Sequence, residues 1–441
     1  MITETELIEK YAAAPEKLSE MIQKRKAEGL LSAFGYASNL DLLCSFQPEA
    51  LSRFLTEELN GSDLSGLKPV VNITTRRELA QTILYYCING LGGEADIENT
   101  EALSGIVQFQ KAIGGTGVQA ALALSAVGGE CLAHLTDASE DVLKLLSSPL
   151  IHAVHENGVL CTADGLTARN EPEPHYIVQF RKGDRIRVGS REYEIPRSNR
   201  LILTQFRING KLPLNPWTIR WIEENASRIP SLLISGFNCI PDLPVLLDRL
   251  QAVREHAGRF HQGRPGGIVY YENGDFHQEE LFRAVLQNLL PVTDIVGMNE
   301  EELSDTMRLI GEDPDGSDPL TVVRSVLSLI ERFGIKKGMV IHTKDFSMYA
   351  GKPLDADIES GLMFGNMMAA SKAIHGSFGT PKEVRETLPL PLSETGLKFR
   401  RIISESEYGS QVVLVPSRYL DRPKYTIGLG DAFTAGVQLC F

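Results

Sequence analysis

The chain has 441 residues, 43% hydrophobic and 23% charged, with a formal net charge of -13. That acidic balance excludes a protein that coats duplex nucleic acid, which needs clustered Lys and Arg against phosphates. No apolar stretch reaches the roughly eighteen residues of a membrane span, and the N-terminus MITETELIEK lacks a signal-peptide pattern.

A soluble, cytoplasmic protein with neither a membrane nor a nucleic-acid partner is therefore expected. Six cysteines without a C-x-x-C pair read as reduced core thiols. The length allows a large domain with a smaller one appended, or two to three domains.

The first thirty residues read as a polar amphipathic helix, with Leu7, Tyr11, Leu18 and Ile22 at helical spacing. LLSAFGYASNLDLL (30–43) follows as a strand whose Asn39 and Asp41 face one way and interrupt an apolar pattern. A carboxylate buried there needs protein donors or a polyol ligand. AIGGTGVQAALALSAVGG (112–129) is a glycine-rich turn opening an apolar helix, and ECLAHLT (130–136) is the next strand. ARNEPEPH (168–175) is the most linker-like piece. HYIVQFRKGDRIRVGSREYEI (175–195) reads as antiparallel strands turning at Lys182-Gly183-Asp184 and Gly189-Ser190, a small β-lid apart from the main sheet.

Beyond it, RLILTQF (200–206), SLLISGF (231–237), GGIVYYE (266–272), DIVGM (294–298), KGMVIHT (337–343) and QVVLVP (411–416) are strand-like. Helical patterns lie between the later ones: NPWTIRWIEENASRI, TVVRSVLSLIERFG and GLMFGNMMAASKAIHG. Alternation of this kind predicts an α/β fold, a mostly parallel sheet with helices on both faces.

Two junctions carry candidate chemistry. In YTIGLGDAFTAGV, a β-type run (Lys424 to Ile427) stops at Gly428-Leu429-Gly430, and a small-residue helix begins at Asp431. Glycines let backbone approach a ligand, and a helix start offers unpaired N–H groups to an anion. There Asp431 either caps the helix or accepts a proton from an attacking hydroxyl. In DIVGMNEEELSD a strand runs into Asn299 and a helix start with Glu302 three residues on. Glu302 either matches the helix dipole or holds Mg²⁺ through water.

Gly115-Thr-Gly117-Val-Gln-Ala120, with Asp137 about twenty residues on, also matches a dinucleotide-binding fingerprint and supports a rival NAD(P)-dependent oxidoreductase. His152 and His155 in IHAVHE lack a partner cluster for zinc. A Walker-type phosphate loop is absent.

Together, Asn39-x-Asp41, Gly114-Gly115, Asn299-x-x-Glu302 and Gly428-x-Gly430-Asp431 resemble the ribokinase-like sugar kinases, and within them the ADP-dependent glucokinase and phosphofructokinase family. HYIVQF, PRSNRLI, LISGF, VGMNEEEL, VIHT and VPSRYLDRPKYTIGLGD support the closer match by their order and spacing. The resemblance implies a ribokinase-like fold with a smaller, discontinuous β-rich lid. Residues 1–40, 110–170 and 200–441 would form the large nucleotide-binding domain, and 41–109 and 171–199 the lid.

It further implies phosphoryl transfer from ADP, with Mg²⁺, to a sugar hydroxyl. Asp431 would be the catalytic base and Gly428, Leu429 and Gly430 the anion hole, with Arg197 and Asn299 on donor phosphates. Glu272 and Glu302 match metal-organising acids. Asn39, Asp41, Asp96, Gly114, Gly115 and His175 fall where the sugar is held, and His342, Thr343, Val413 and Val415 at the nucleotide end.

The chain departs from the family at Tyr270, where a histidine is common, and at Thr116, where Asn or Gln is usual. The acceptor is glucose or fructose 6-phosphate. Arg181, Lys182, Arg185 and Arg187 form either a phosphate-binding cluster or a solvated strand face, and Asp96 favours the neutral sugar because like charges repel. A non-catalytic sugar or nucleotide sensor of the same fold stays a further alternative. Oligomeric state is left open, a monomer being compatible with the sequence.

Overall fold

The structure is a computed structural model, and it describes residues 4–103, 105–205 and 207–441. Two sheets organise it. The larger has ten strands in the spatial order Val412–Pro416, Phe346–Gly351, Gly338–His342, Ile295–Asn299, Ile268–Glu272, Ser231–Ile234, Ser32–Phe34, Cys131–Ala133, Ile151–His155 and Gly158–Cys161. The seven strands from Gly338–His342 to Ile151–His155 pair in parallel, and antiparallel strands close both edges. Its residues alternate between two cores. Leu232, Val269, Tyr271, Val296 and Met339 fill one face, while Phe34, Leu233, Tyr270, Ile295 and Val340 fill the other. The N-terminal helix Glu4–Ala27 packs into the second core through Leu7, Tyr11, Leu18 and Ile22, the face its periodicity predicts.

The smaller sheet has six strands in the order Asn72–Ile73, Gly93–Ile97, Asn199–Thr204, Pro174–Phe180, Asn39–Phe46 and Val107–Gly114. One face packs on the helices Pro48–Leu59 and Arg76–Asn89 in a third core, and the other faces the large body. Arg185–Val188 and Arg191–Glu194 form the expected hairpin at Gly189-Ser190 as a separate two-stranded sheet, but Pro174–Phe180 does not pair back across Lys182-Gly183-Asp184; it lies in the six-stranded sheet instead.

Further expectations from the sequence are corrected. The run 30–43 is two strands, not one: Ser32–Phe34 lies in the large sheet and Asn39–Phe46 in the small one. Between them the Ser38 backbone and hydroxyl bond Thr136 and Asp137, turning the chain out of the first sheet. The run 200–206 belongs to the lid sheet, antiparallel to Pro174–Phe180. Residues 424–427 form no strand, because the N–H groups of Lys424 and Tyr425 bond the Ala373 carbonyl at a helix end instead of a strand edge. The helix after them starts at Leu429, two residues before Asp431.

The chain crosses between body and lid beside the Asn39–Gly114 pair. Gly115, at φ 98°, caps the helix Thr116–Ala126, and a Cβ there would lie 2.4 Å from the Ala37 carbonyl oxygen. Only glycine fits that crossing.

Candidate active site

Three neighbouring parallel strands end in Glu272, Asn299 and His342. The carboxyl ends of such strands are where open α/β sheets take ligands. Asn299 caps the helix Glu300–Leu309: its Oδ1 accepts from the N–H groups of Glu301 and Glu302, both at 2.9 Å. Glu302 Oε2 accepts the Asn299 N–H in return at 3.0 Å, completing a capping box. The capping reading of this helix start holds, and the cap leaves the Asn299 Nδ2 and one Glu302 oxygen without a protein bond among the described residues.

Glu272 is buried, and its Oε1 pairs with His342 Nε2 at 2.9 Å. Its Oε2 makes no well-formed hydrogen bond, nor does the neighbouring Tyr270 hydroxyl. A Cβ on Gly297 would sit 2.1 Å from that oxygen and 2.5 Å from that hydroxyl, so glycine makes room for both. Burial, then the Glu272 charge, pushes Glu302 up to about 7. Burial disfavours the charged form of His342, yet the Glu272 bond and the nearby Glu302 and Glu300 raise its pKa.

A buried and a half-buried carboxylate that repel each other, each with one oxygen lacking a well-formed hydrogen bond, suit a hard divalent cation. Such an ion keeps most of its waters and takes only one or two protein acids beside substrate phosphates. Among the described residues no group of three or more His, Cys, Asp or Glu forms a complete metal cage.

Above these acids lies the glycine turn. Gly428, at φ 72°, caps the helix Leu429–Gln438 without a side-chain bond, so the first N–H groups stay open to an anion. A Cβ on Gly428 would meet Gln119 Oε1 at 2.2 Å and Lys372 Cε at 2.8 Å. One on Gly430 would lie 3.3 Å from His342 Cε1, and the His342 ring packs on Phe433 at 4.9 Å between centroids. Burial, then the Glu272 charge, carries Asp431 up to about 6, while a Thr116 hydrogen bond, Lys372 and His342 hold it down.

The lid contributes a polar row across its sheet. Asn39 Nδ2 donates to Asp41 Oδ1 at 2.7 Å, and a Cβ on Gly114 would strike both side chains. Asp41 stands opposite His175. Thr204, one residue beyond the Leu203–Tyr176 pair, donates to Asp96 Oδ1 at 3.1 Å. Burial raises Asp41 to about 7, with Asn39 opposing and Asp431 adding, so the lid and turn carboxylates feel each other. Burial drops His175 to about 4, leaving it neutral near neutrality.

Not every expected residue reaches this centre. Arg197 is exposed beside Gly90 on the lid and makes no bond to the acids or the glycine turn. Val415 is 0% exposed in the second core, with half-buried Val413 packed against it, so the Val415 side chain cannot line a cleft. The Thr343 hydroxyl is spent on its own turn, accepting from Asp345 and Phe346. Arg185 and Arg187 pair with Glu192 and Glu194 in their own hairpin, which packs on the helix Pro48–Leu59. Both side chains are solvent-exposed there.

The dinucleotide reading fails on geometry. The strand before Gly115 lies antiparallel at the edge of the lid sheet. Asp137 is taken up by the Ser139 and Glu173 N–H groups and by Asn170. Sequence reading passed over Lys372 and Gln119, which flank the glycine turn. Lys372 had a signal: it is the lone charge between Ser360 and Ala373 in an otherwise apolar, small-residue helix.

Known proteins resemble the chain along most of its length. The conserved region of ADP-specific phosphofructokinase/glucokinase matches residues 32–439. An ADP-dependent glucose/glucosamine kinase of Pyrococcus abyssi is 25% identical over 97% of each chain. An ADP-specific phosphofructokinase of Thermococcus kodakarensis is 27% identical over 65% of this chain and 67% of its own. Among solved structures, the last common ancestor of ADP-dependent phosphofructokinases from Methanosarcinales has the same fold. It superposes with a TM-score of 0.78 at 17% identity, covering 99% of this chain and 98% of that one.

Proposed function

The chain belongs to the ADP-specific phosphofructokinase/glucokinase family of ADP-dependent sugar kinases, and from that premise we propose how its residues divide the reaction. Asp431 takes the proton from a sugar hydroxyl, whose oxygen attacks the β-phosphorus of ADP. The bond from that phosphorus to the bridging oxygen breaks, and AMP leaves. The open N–H groups after Gly428 receive the charge on the transferring group, a stabilisation that is worth most in a dry site. The observation that carries this reading is the half-buried Asp431 in an uncapped glycine turn beside Lys372, with its pKa raised to about 6. A carboxylate held there is ionised near neutrality and still basic enough to take a proton.

Glu272 and Glu302 would hold Mg²⁺, with Asn299 Nδ2 toward the donor phosphates. The ion would offset donor phosphate charge when bound. Asn39, Asp41, His175 and Asp96 would hold the sugar between lid and body, the lid that would move against the body carrying the strands Asn39–Phe46, Val107–Gly114 and Pro174–Phe180 in place of the boundaries at 40 and 110. The strand Asn199–Thr204 we assign to the lid, by its pairing.

Glucose is the acceptor we favour over fructose 6-phosphate. Arg185 and Arg187 are spent in their hairpin, while Glu94 and Asp96 stand on the cleft face of the lid. Arg200, on the same sheet face, is the cation that would favour the phosphorylated sugar. A matrix of ADP and ATP against glucose and fructose 6-phosphate, scored by AMP and sugar phosphate, tests both choices. Glucose with ADP should lead. Faster turnover of fructose 6-phosphate overturns the acceptor, and faster turnover with ATP overturns the donor.

A further inference from the structure

Lys372 is 7% exposed in the helix Ile358–His375. Its Nζ lies 3.7 Å from the Phe378 ring centroid and donates to the Gly376 carbonyl at 3.3 Å. Those are two weak partners for an ammonium with three N–H groups, and a charge so placed is costly unless another charge repays it. The compensating charge is close by. The lysine stem runs along the glycine turn, since a Cβ on Gly428 would fall 2.8 Å from Cε, and its charge acts on Asp431. Burial lowers the Lys372 pKa and Asp431 raises it, so each favours the charged form of the other.

We propose that Lys372 is a positioning residue for phosphoryl transfer, its positive charge holding the glycine turn and Asp431 in their working arrangement. The charges around Asp431 come from every side: Glu272 and His342 from strand ends, Asp41 from the lid and Lys372 from the helix, with the Thr116 hydroxyl close by. Three of these groups are acids, counting Asp431 itself, and the incoming donor adds more negative charge. Lys372 is the one lysine or arginine among them. No bond is made or broken at the lysine. It acts through the turn.

This inference rests on the reading of Asp431 as the base, and the experiment separates the two. Lys372→Met keeps the stem packed on Gly428 and removes the charge; Lys372→Arg keeps the charge and alters the shape. If charge is the function, kcat of the Met variant falls on the order of 10- to 100-fold while KM for sugar and ADP stays within about threefold, and the Arg variant recovers most of kcat. Thermal unfolding confirms that both are folded.

A Met variant with near-normal kcat overturns the proposal and makes the lysine a packing residue. So does a folded Arg variant as slow as Met, or failure of both to fold. Asp431→Asn run beside them keeps the premise apart: if it turns over normally, the base reading falls, whatever Lys372 does.

Discussion

His277 of the large body and Glu94 of the lid meet across the cleft, Nε2 to Oε2 at 3.0 Å. The bond to Glu94 raises the His277 pKa, burial opposes it, and Asp275 and Asp96 add to it. A raised imidazole contributes fully below its unfolded pKa and loses that contribution as pH rises through the folded value. Half of the His277 side chain is exposed, so the bridge biases the lid modestly. The ligand-free protein should therefore be more compact in small-angle scattering at about pH 6 than at about pH 8.5. His277→Gln should flatten that difference; a pH-independent profile of the parent would remove the bridge from the account.

Asp431→Asn should lower turnover roughly 10²- to 10⁴-fold with the melting temperature unchanged. In the parent, turnover should decline as pH falls through about 6, because the base must be ionised to accept a proton. Loss of that acid limb in the residual activity of the variant is the companion measurement.

Glu302→Gln should shift the Mg²⁺ dependence of the rate to higher concentration more than it changes KM for sugar. The substitution keeps a group able to cap Asn299, so the helix start survives. An unchanged Mg²⁺ titration would leave the carboxylate as a cap alone.

Asp96→Ala should raise KM for glucose roughly tenfold, the cost of one lost hydrogen bond to a hydroxyl. It should leave KM for ADP alone. Asp96 lies on the lid, joined to Thr204, and makes no bond to the strand-end acids.

Gly115→Ala should destabilise the fold by about 1–3 kcal/mol, since a side chain there must adopt a left-handed backbone and press on Ala37. Denaturant unfolding gives the number, and a change below about 0.5 kcal/mol would mean the crossing relaxes freely.

The parts of this protein that the sequence discloses are those whose geometry is local. Asn299 and Glu302 are three residues apart in one helical turn, and Gly428 and Asp431 share one helix start, so spacing alone brings each pair together. The parallel sheet was legible for the same reason, one apolar run per strand. What stayed hidden depends on distant pairing. The run 30–43 is apolar on both sides of a sheet change that Thr136 and Asp137 impose from a hundred residues away. The alternation at 424–427 meets a helix carbonyl where a strand edge would be required. Arg197 matches a motif, yet nothing local says which side of the cleft it occupies. Lys372 shows only that a charge sits in an apolar helix, not what it faces.

The pairing of Asn39 with Gly114 has a consequence for the order in which ligands bind. These two residues stand where the chain first leaves and re-enters the large body, and they also flank Asp41 in the polar row. A ligand touching them touches the pivot itself. With the acceptor held there as proposed, its affinity and the lid angle would be one equilibrium, while Glu272 and Asn299 on the strand ends lie in the large body. Occupying the pivot first would set the angle that the second ligand meets, so steady-state kinetics should show compulsory-order addition with the sugar leading and ADP following.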